Sequence, residues 1–154
     1  MHKSLVIVCM FLLGCGAAEE PSKAFVGHWV YQIGSMATRT CPNEPPLVAD
    51  LGSSVPPSGQ PAAFTLSRTS ATHVHELDEV QCEYDWAIDG DVASIGPPGQ
   101  PCSHFPDGMG GMVSGIVSAG HKSTYDGKTM TIHIEATIGG VCSQVVDGTA
   151  IKMP

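Results

Sequence analysis

The last third of the chain consists of three alternating segments joined by two glycine-containing turns. The segments cover residues 112–125, 128–138 and 141–153, and Asp126-Gly127 and Gly139-Gly140 separate them. In the middle segment every second residue from Met130 to Ile138 is apolar, and the residues between them are polar. This alternation is typical of a half-buried strand, and Asp-Gly between two such runs is a strong hairpin signal. The sequence therefore predicts a three-strand antiparallel meander.

Shorter alternating segments precede the meander. They cover 25–33, 62–67, 71–77, 80–88 and 91–95, and Asp89-Gly90 predicts a further hairpin. Six prolines from Pro42 to Pro61 limit that stretch to one short strand at 47–51. Nothing in the Pro/Gly-rich stretch 96–111, which holds Cys102, supports a helix. About eight short strands at hairpin spacing predict an all-β fold, a small antiparallel up-and-down barrel or a sandwich.

Composition excludes several classes of function. The net charge is −8, so the phosphates of a nucleic acid would be repelled and we expect no nucleic-acid partner. Only 14% of the residues are charged, while 18 are glycine and 12 are proline, which suits an exported β-protein better than a helical cytosolic one. The length allows one domain with one core, which we place at 24–154.

The first fourteen residues have the organisation of an export signal. His2 and Lys3 form a short positive head, residues 5–13 are apolar, and Leu12-Leu13-Gly14-Cys15 closes the run. This segment resembles a bacterial lipoprotein signal peptide with its lipobox. The resemblance implies cleavage after Gly14, a lipid on Cys15, a polar tether over 15–23, and a cell-envelope protein held to the membrane by acyl chains. An ordinary signal peptide, with Cys15 incidental, is the alternative.

The cysteines predict two disulfide bonds. Cys9 belongs to the leader and Cys15 to the lipidation site, which leaves an even set of four in an oxidising compartment: Cys41, Cys82, Cys102 and Cys142. Four cysteines allow three pairings, of which we favour Cys82–Cys102 and Cys41–Cys142. A Cys₄ zinc site is the alternative, but no C-x-x-C spacing supports it.

Two pairs of polar residues have a spacing that suits a metal ion. His73 and His75 share one face of a predicted strand, and His133 and Glu135 share the polar face of another. The four would form a metal site if the two strands were neighbours. The alternative is two solvated strand faces that happen to carry histidine.

No motif predicts catalysis or a cofactor. The chain lacks a G-x-S-x-G nucleophile elbow, and each cysteine is assigned to the leader, the lipid or a disulfide. We therefore expect a protein that is not an enzyme and that carries no cofactor.

The first predicted strand carries aromatic residues on one face, as does the strand at 80–88. Gly27-His28-Trp29-Val30-Tyr31-Gln32-Ile33-Gly34-Ser35 resembles the opening strand of avidin-type barrels, and Gly-x-Trp also opens lipocalins. In avidin-type proteins the serine that matches Ser35 bonds biotin, but the tryptophans that wall the biotin site are missing from the final meander here. The resemblance implies a barrel, with candidate ligand contacts at Trp29, Tyr31, Ser35, Tyr84 and Trp86. The alternative is that these aromatics fill the core.

A broader pattern spans most of the predicted mature chain. Cys82-x-Tyr-x-Trp-x-Ile-Asp-Gly-Asp-Val-Ala, followed by Pro98-Gly99-Gln100-Pro101-Cys102, is similar to uncharacterised exported bacterial lipoproteins. That resemblance implies two disulfides and a β-rich fold.

These observations predict a lipid-anchored envelope protein that binds a small apolar ligand or a partner protein. The alternatives are an inhibitor of an envelope hydrolase and a metal-dependent enzyme that uses the strand histidines. An enclosed cavity beside Trp29 and Trp86 would favour the small ligand, whereas a filled interior would favour recognition at the surface.

Overall fold

The computed structural model describes residues 20–53, 59–106 and 111–154. The described chain forms one short helix and eleven strands. They are α1 (Ser22–Phe25), β1 (Gly27–Tyr31), β2 (Met36–Thr40), β3 (Leu47–Asp50), β4 (Ala63–Ser70), β5 (His73–Asp78), β6 (Glu83–Asp89), β7 (Val92–Ile95), β8 (Gln100–Pro106), β9 (Met112–Ser123), β10 (Thr129–Ile138) and β11 (Cys142–Lys152).

Eight of these strands close into an antiparallel barrel. Their order is β1-β4-β5-β6-β7-β9-β10-β11, and β11 pairs with β1 to complete the circle. Trp29 is opposite Lys152 at this closure, and all other neighbours are also antiparallel. Closure leaves the ring of eight strands without a first or last strand, which suits a chain with few charged residues to protect sheet edges. The predicted all-β barrel is confirmed.

Three further strands extend the wall of the barrel at one end. The first half of β11 pairs with β2 and its last residues pair with β1, while β9 pairs with β8 in its first half and with β7 near its end. The hairpin β2–β3 and strand β8 therefore flank the end of the barrel where residues 139–141 turn between β10 and β11. We call this end the far pole.

The opposite end carries α1 and the turn between β9 and β10, and we call it the helix pole. Lys152 donates a hydrogen bond from Nζ to the carbonyl of Ala24 at 2.9 Å, and Phe25 is fully buried. Ser22 is also fully buried, so the packed domain starts before residue 24 and the predicted tether does not reach Lys23. The predicted signal peptide and the predicted lipidation site, Cys15, lie outside the described residues.

Both predicted disulfide bonds are present. Cys41–Cys142 joins the residue after β2 to the start of β11, and Cys82–Cys102 joins β8 to the residue before β6. The side chain of Gln100 adds a second link between β8 and β6, since its Nε2 donates to the carbonyl of Asp85 and its Oε1 accepts from the amide of the same residue. The extra strand β8 is therefore fixed to the barrel on both sides.

Two strands differ from the prediction. Strand β8 lies in the Pro/Gly-rich stretch 96–111, outside the predicted strands. It tolerates Pro101 and Pro106 because β9 is its only strand partner among the described residues. Strand β2 lies between the predicted first strand and the proline-rich stretch, and it is held by β11, more than a hundred residues away in the chain. Ile33, the last residue of the predicted strand 25–33, follows the end of β1 and is 82% exposed.

Candidate functional site

The five predicted ligand contacts all lie in the interior. Trp29 and Trp86 are fully buried, Tyr31 and Tyr84 are nearly so, and the four belong to one hydrophobic cluster. Trp29 donates from Nε1 to the carbonyl of Phe25 at 2.7 Å, and the ring of Tyr31 packs 5.5 Å from that of Phe64. The structure brings the four aromatic residues together as packed core.

Ser35, the fifth predicted ligand contact, forms hydrogen bonds with the backbone. Its hydroxyl donates to the carbonyl of Thr149 at 2.9 Å and accepts from the amide of Thr149 at 3.0 Å, and it is 1% exposed. Gly148 makes room for it, because a Cβ at that position would lie 2.3 Å from the Ser35 Cβ. Ser35 therefore joins the start of β2 to β11, and its hydroxyl is already saturated by the backbone.

A charged pair occupies the middle of the barrel. The Lys122 ammonium is fully buried, donates to the carboxylate of Glu76, and lies 3.6 Å above the ring of Phe64 and 4.6 Å from that of Trp86. Burial lowers the pKa of Lys122, and the adjacent Glu76 carboxylate opposes that shift. Burial also raises the pKa of Asp78, two residues further on the same face of β5, to about 6.

The acidic run from Glu76 to Asp91 would suit a solvated sheet face, but Glu76 itself is only 3% exposed. The sequence does carry a signal for a buried Glu76. Alternate residues of a strand share a face, so Glu76 and Asp78 lie on the same face as the apolar Val74. The pair, with the packed aromatics around it, fills the interior with side chains. Two clefts in the described chain lie outside this interior.

The predicted metal ligands are divided between two parts of the barrel. Strands β6, β7 and β9 lie between β5, which carries His73 and His75, and β10, which carries His133 and Glu135. Four steps of about 4.8 Å between neighbouring strands keep the two pairs too far apart for one ion. Among the described residues no group of three or more His, Cys, Asp or Glu side chains is placed to hold a metal ion. The fold does not assemble the predicted four-residue site.

Each of two strand histidines is instead held by carboxylates on the outer surface. His75 is 2.9 Å from Asp85, measured from Nδ1 to Oδ1. His133 is 2.6 Å from Asp147 at Nδ1 and 3.2 Å from Glu135 at Nε2. The hydrogen bond to Asp147, followed by that to Glu135, raises the pKa of His133, because both partners favour the imidazolium.

The larger cleft lies at the far pole and has a volume of about 500 Å³. Its walls are mostly apolar and come from β2, β3, β9 and the turn between β10 and β11: Arg39, Leu47, Val113, Ile138, Val141 and the Cys41–Cys142 disulfide. Leu47 is 51% exposed and Val141 is 69% exposed. A volume of this size is within the range of binding sites in proteins.

Arg39 supplies a polar group to this cleft. Its Nε and Nη2 donate to Oε1 of Gln144 at 3.2 and 2.8 Å, which fixes the guanidinium against β11. Arg39 and Gln144 are opposite each other in the β2–β11 pairing, and Leu47 is opposite Arg39 in the β2–β3 pairing. The pairing of β2 with β11 and with β3 therefore brings together cleft residues that are distant in the sequence.

The second cleft is smaller and more polar. It has a volume of about 440 Å³ and is lined by Thr69, Ser70, His73, Asp85 and Gly96 on the outside of β4, β5 and β6. Ser70 Oγ and Thr72 Oγ1 lie 3.2 and 3.1 Å from Nδ1 of His73. Both contacts engage Nδ1 of the imidazole.

Comparisons with known proteins add no assignment to these sites. No protein-family model matches the chain, and no curated protein matches it significantly. Within the described ranges, no helix has the length and hydropathy needed to cross a membrane.

Proposed function

We propose that this chain is a lipid-anchored, non-catalytic binding module of the bacterial cell envelope, and that it recognises a partner protein through the cleft at the far pole. The observation that carries the proposal is the filled interior. Trp29 and Trp86 are fully buried and Lys122 with Glu76 occupies the centre, so the part of the chain that the structure describes leaves a small ligand no enclosed space beside the tryptophans. Recognition then falls to the outer surface.

The position of the cleft supports this proposal. Strand β10 has ten residues and runs from the helix pole to the far pole, which places the cleft roughly 30 Å along the strand from α1. With a lipid on Cys15, the membrane lies on the side of the helix pole. The cleft then faces away from the bilayer, where a partner can reach it.

The chemistry of the surface indicates the kind of partner. The walls of the cleft offer exposed apolar side chains, and the net charge of −8 attracts a basic protein. Inhibition of an envelope hydrolase is the second candidate, favoured by the same charge, because hydrolases that act on anionic polymers present basic surfaces.

Site-specific photocrosslinking in cells that produce the protein tests the proposal. A photoreactive phenylalanine analogue replaces Val141 in the cleft, and in a matched control it replaces Tyr125, which is 89% exposed at the helix pole. We expect a discrete protein adduct from position 141 and none from position 125. Equal labelling from both positions, or none from either, would contradict the proposal.

Native mass spectrometry of the purified protein distinguishes the small-ligand alternative. We expect no stoichiometric bound mass beyond the lipid. A bound small molecule that is lost in Val141→Arg would assign the cleft to a ligand rather than to a protein.

A further inference from the structure

We propose that the outer edge of β3 is a docking site for an extended, apolar and basic segment of the partner, which joins the sheet as an additional antiparallel or parallel strand. The inference rests on the proposed function, since the edge borders the cleft at the far pole. It adds the structural mode of recognition and the chemistry of the segment that is recognised.

Strand β3 is the last strand of the sheet on its side. It pairs with β2 through residues 47 to 50, and no other described strand pairs with it. The amide of Leu51 donates to the carbonyl of Ser35 at 2.7 Å, so the pair Leu51 and Ser35 is hydrogen-bonded. In an antiparallel pair hydrogen-bonded positions alternate, which directs the backbone groups of Leu47 and Ala49 toward β2 and those of Val48 and Asp50 away from it.

The outward-facing groups lack partners in the described part of the chain. The amides of Val48 and Asp50 make no hydrogen bond there, and the Val48 carbonyl accepts none, while the Asp50 carbonyl accepts from Ser53. Unpaired donors and acceptors along an exposed strand are the template for strand addition, because an extended chain supplies the matching groups at the same spacing.

The side chains on β3 divide between the two faces of the added strand. Leu47 lies opposite Arg39 on the side of the cleft, and Val48 lies on the other face and is 53% exposed. Alternate side chains of an added segment would therefore enter the apolar cleft and those between them would cover Val48. A segment with alternating apolar residues fits both positions.

Two acidic residues near β3 favour basic residues on either side of the apolar part of the added segment. Glu44 lines the cleft before β3 begins, and Asp50 ends the strand. Asp50 already accepts from the amides of Gly34 and Gly52, which holds its carboxylate at the edge. One carboxylate thus lies three residues before β3 and the other at its last residue. In a chain of net charge −8 they complement lysine or arginine on either side of the apolar core of the partner.

Random linear peptides displayed on phage are the probe, and the purified protein is the immobilised target. Selected peptides are then measured against Val48→Pro, which removes the outward amide and leaves the β2–β3 hydrogen bonds in place. Val48→Thr is the matched control, because it keeps the amide and the β-branched shape. We expect alternating apolar peptides with basic flanks that bind Val48→Thr as they bind the native protein and bind Val48→Pro at least about tenfold more weakly.

A second measurement covers the case in which Val48→Pro does not fold. Hydrogen exchange in the native protein should slow at the amides of Val48 and Asp50 when a selected peptide is added. Thermal unfolding and the mass of the intact disulfides show whether each variant is folded.

The outcomes separate this inference from the proposed function. If folded Val48→Pro binds as the native protein does while Val141→Arg does not bind, strand addition is overturned and the cleft remains the recognition site. If neither change weakens binding, or if no peptide is enriched, both strand addition at β3 and recognition at the cleft are contradicted. A dimer in light scattering that Val48→Pro dissociates would assign the edge to a second copy and overturn the inference.

Discussion

Removal of the carboxylate at the centre of the barrel should make stability depend on pH in a way that the native protein does not show. In Glu76→Met the fully buried Lys122 loses the one carboxylate that it bonds within the described ranges, and the ammonium has to release its proton on folding. A lysine has an ordinary pKa of about 10.4, so keeping it neutral costs about 4.6 kcal/mol at pH 7 and about 1.9 kcal/mol at pH 9. Attraction by Asp78 offsets part of this cost, so both figures are upper limits.

The direction of the effect follows from the proton count. The unfolded variant binds the proton that the folded variant has released, so the free energy of unfolding rises with pH by up to about 1.4 kcal/mol per pH unit. Urea unfolding of Glu76→Met between about pH 7 and pH 9 measures this slope, with the native protein as reference.

The double variant Glu76→Met, Lys122→Met is the control. It leaves no buried charge, and two methionines occupy a similar volume, so its stability should lie within about 2 kcal/mol of the native value and be independent of pH in this range. The reasoning would be refuted by a single variant with the same loss at both pH values, or by a double variant less stable than the single one.

Three further changes test other parts of the structure. Replacement of Cys41 and Cys142 by alanine opens a loop of 101 residues and should lower the free energy of unfolding by about 4–5 kcal/mol, which urea denaturation measures; a loss below about 1 kcal/mol would be inconsistent with the loop-entropy estimate. The stabilisation from the raised pKa of His133 is present below the ordinary histidine pKa of about 6.5 and is lost as pH rises through the raised value, so His133→Gln should destabilise the protein in acid and have little effect in alkali. Thermal unfolding over that range would contradict this if the loss grew with pH. Gly148→Ala places a Cβ 2.3 Å from the Ser35 Cβ and should cost about 2–3 kcal/mol in chemical unfolding, and Ser35→Gly in the same chain should restore part of it.

Local signals predicted those parts of the fold that short-range chemistry determines. The strands β9, β10 and β11 follow from alternation and from two turns with glycine at positive φ, Gly127 and Gly139, where other residues would be strained. The disulfides follow from an even number of cysteines and a favoured pairing. Strands β2 and β8 could not be predicted in this way, because their stability comes from pairing with β11 and β9 rather than from their own pattern.

The sites show the same division. The alternation of side chains along a strand places His73 with His75, and His133 with Glu135, on common strand faces. Only the strand order shows that three strands separate the two pairs. The alternation of strand side chains also placed Trp29 and Trp86 inside the barrel. That the described side chains pack closely around them depends on Lys122 and Glu76, which no local pattern pairs. The cleft combines Leu47 with Val141, and no local pattern relates two residues so far apart in the chain.

The pairing of β1 with β11 has a practical consequence for handling the molecule. Because Gly27 packs against the side chain of Lys152, the described chain enters and leaves the barrel at the same pole. A dye, an affinity tag or a fusion partner joined after Pro154 would project from the helix pole. Protein immobilised on a surface through that tag would present the cleft at the far pole to the solution. A circular permutant that links this end to the segment before α1 and opens at Gly139-Gly140 would cut the wall of the cleft, so it offers a version of the barrel with the recognition surface selectively disrupted.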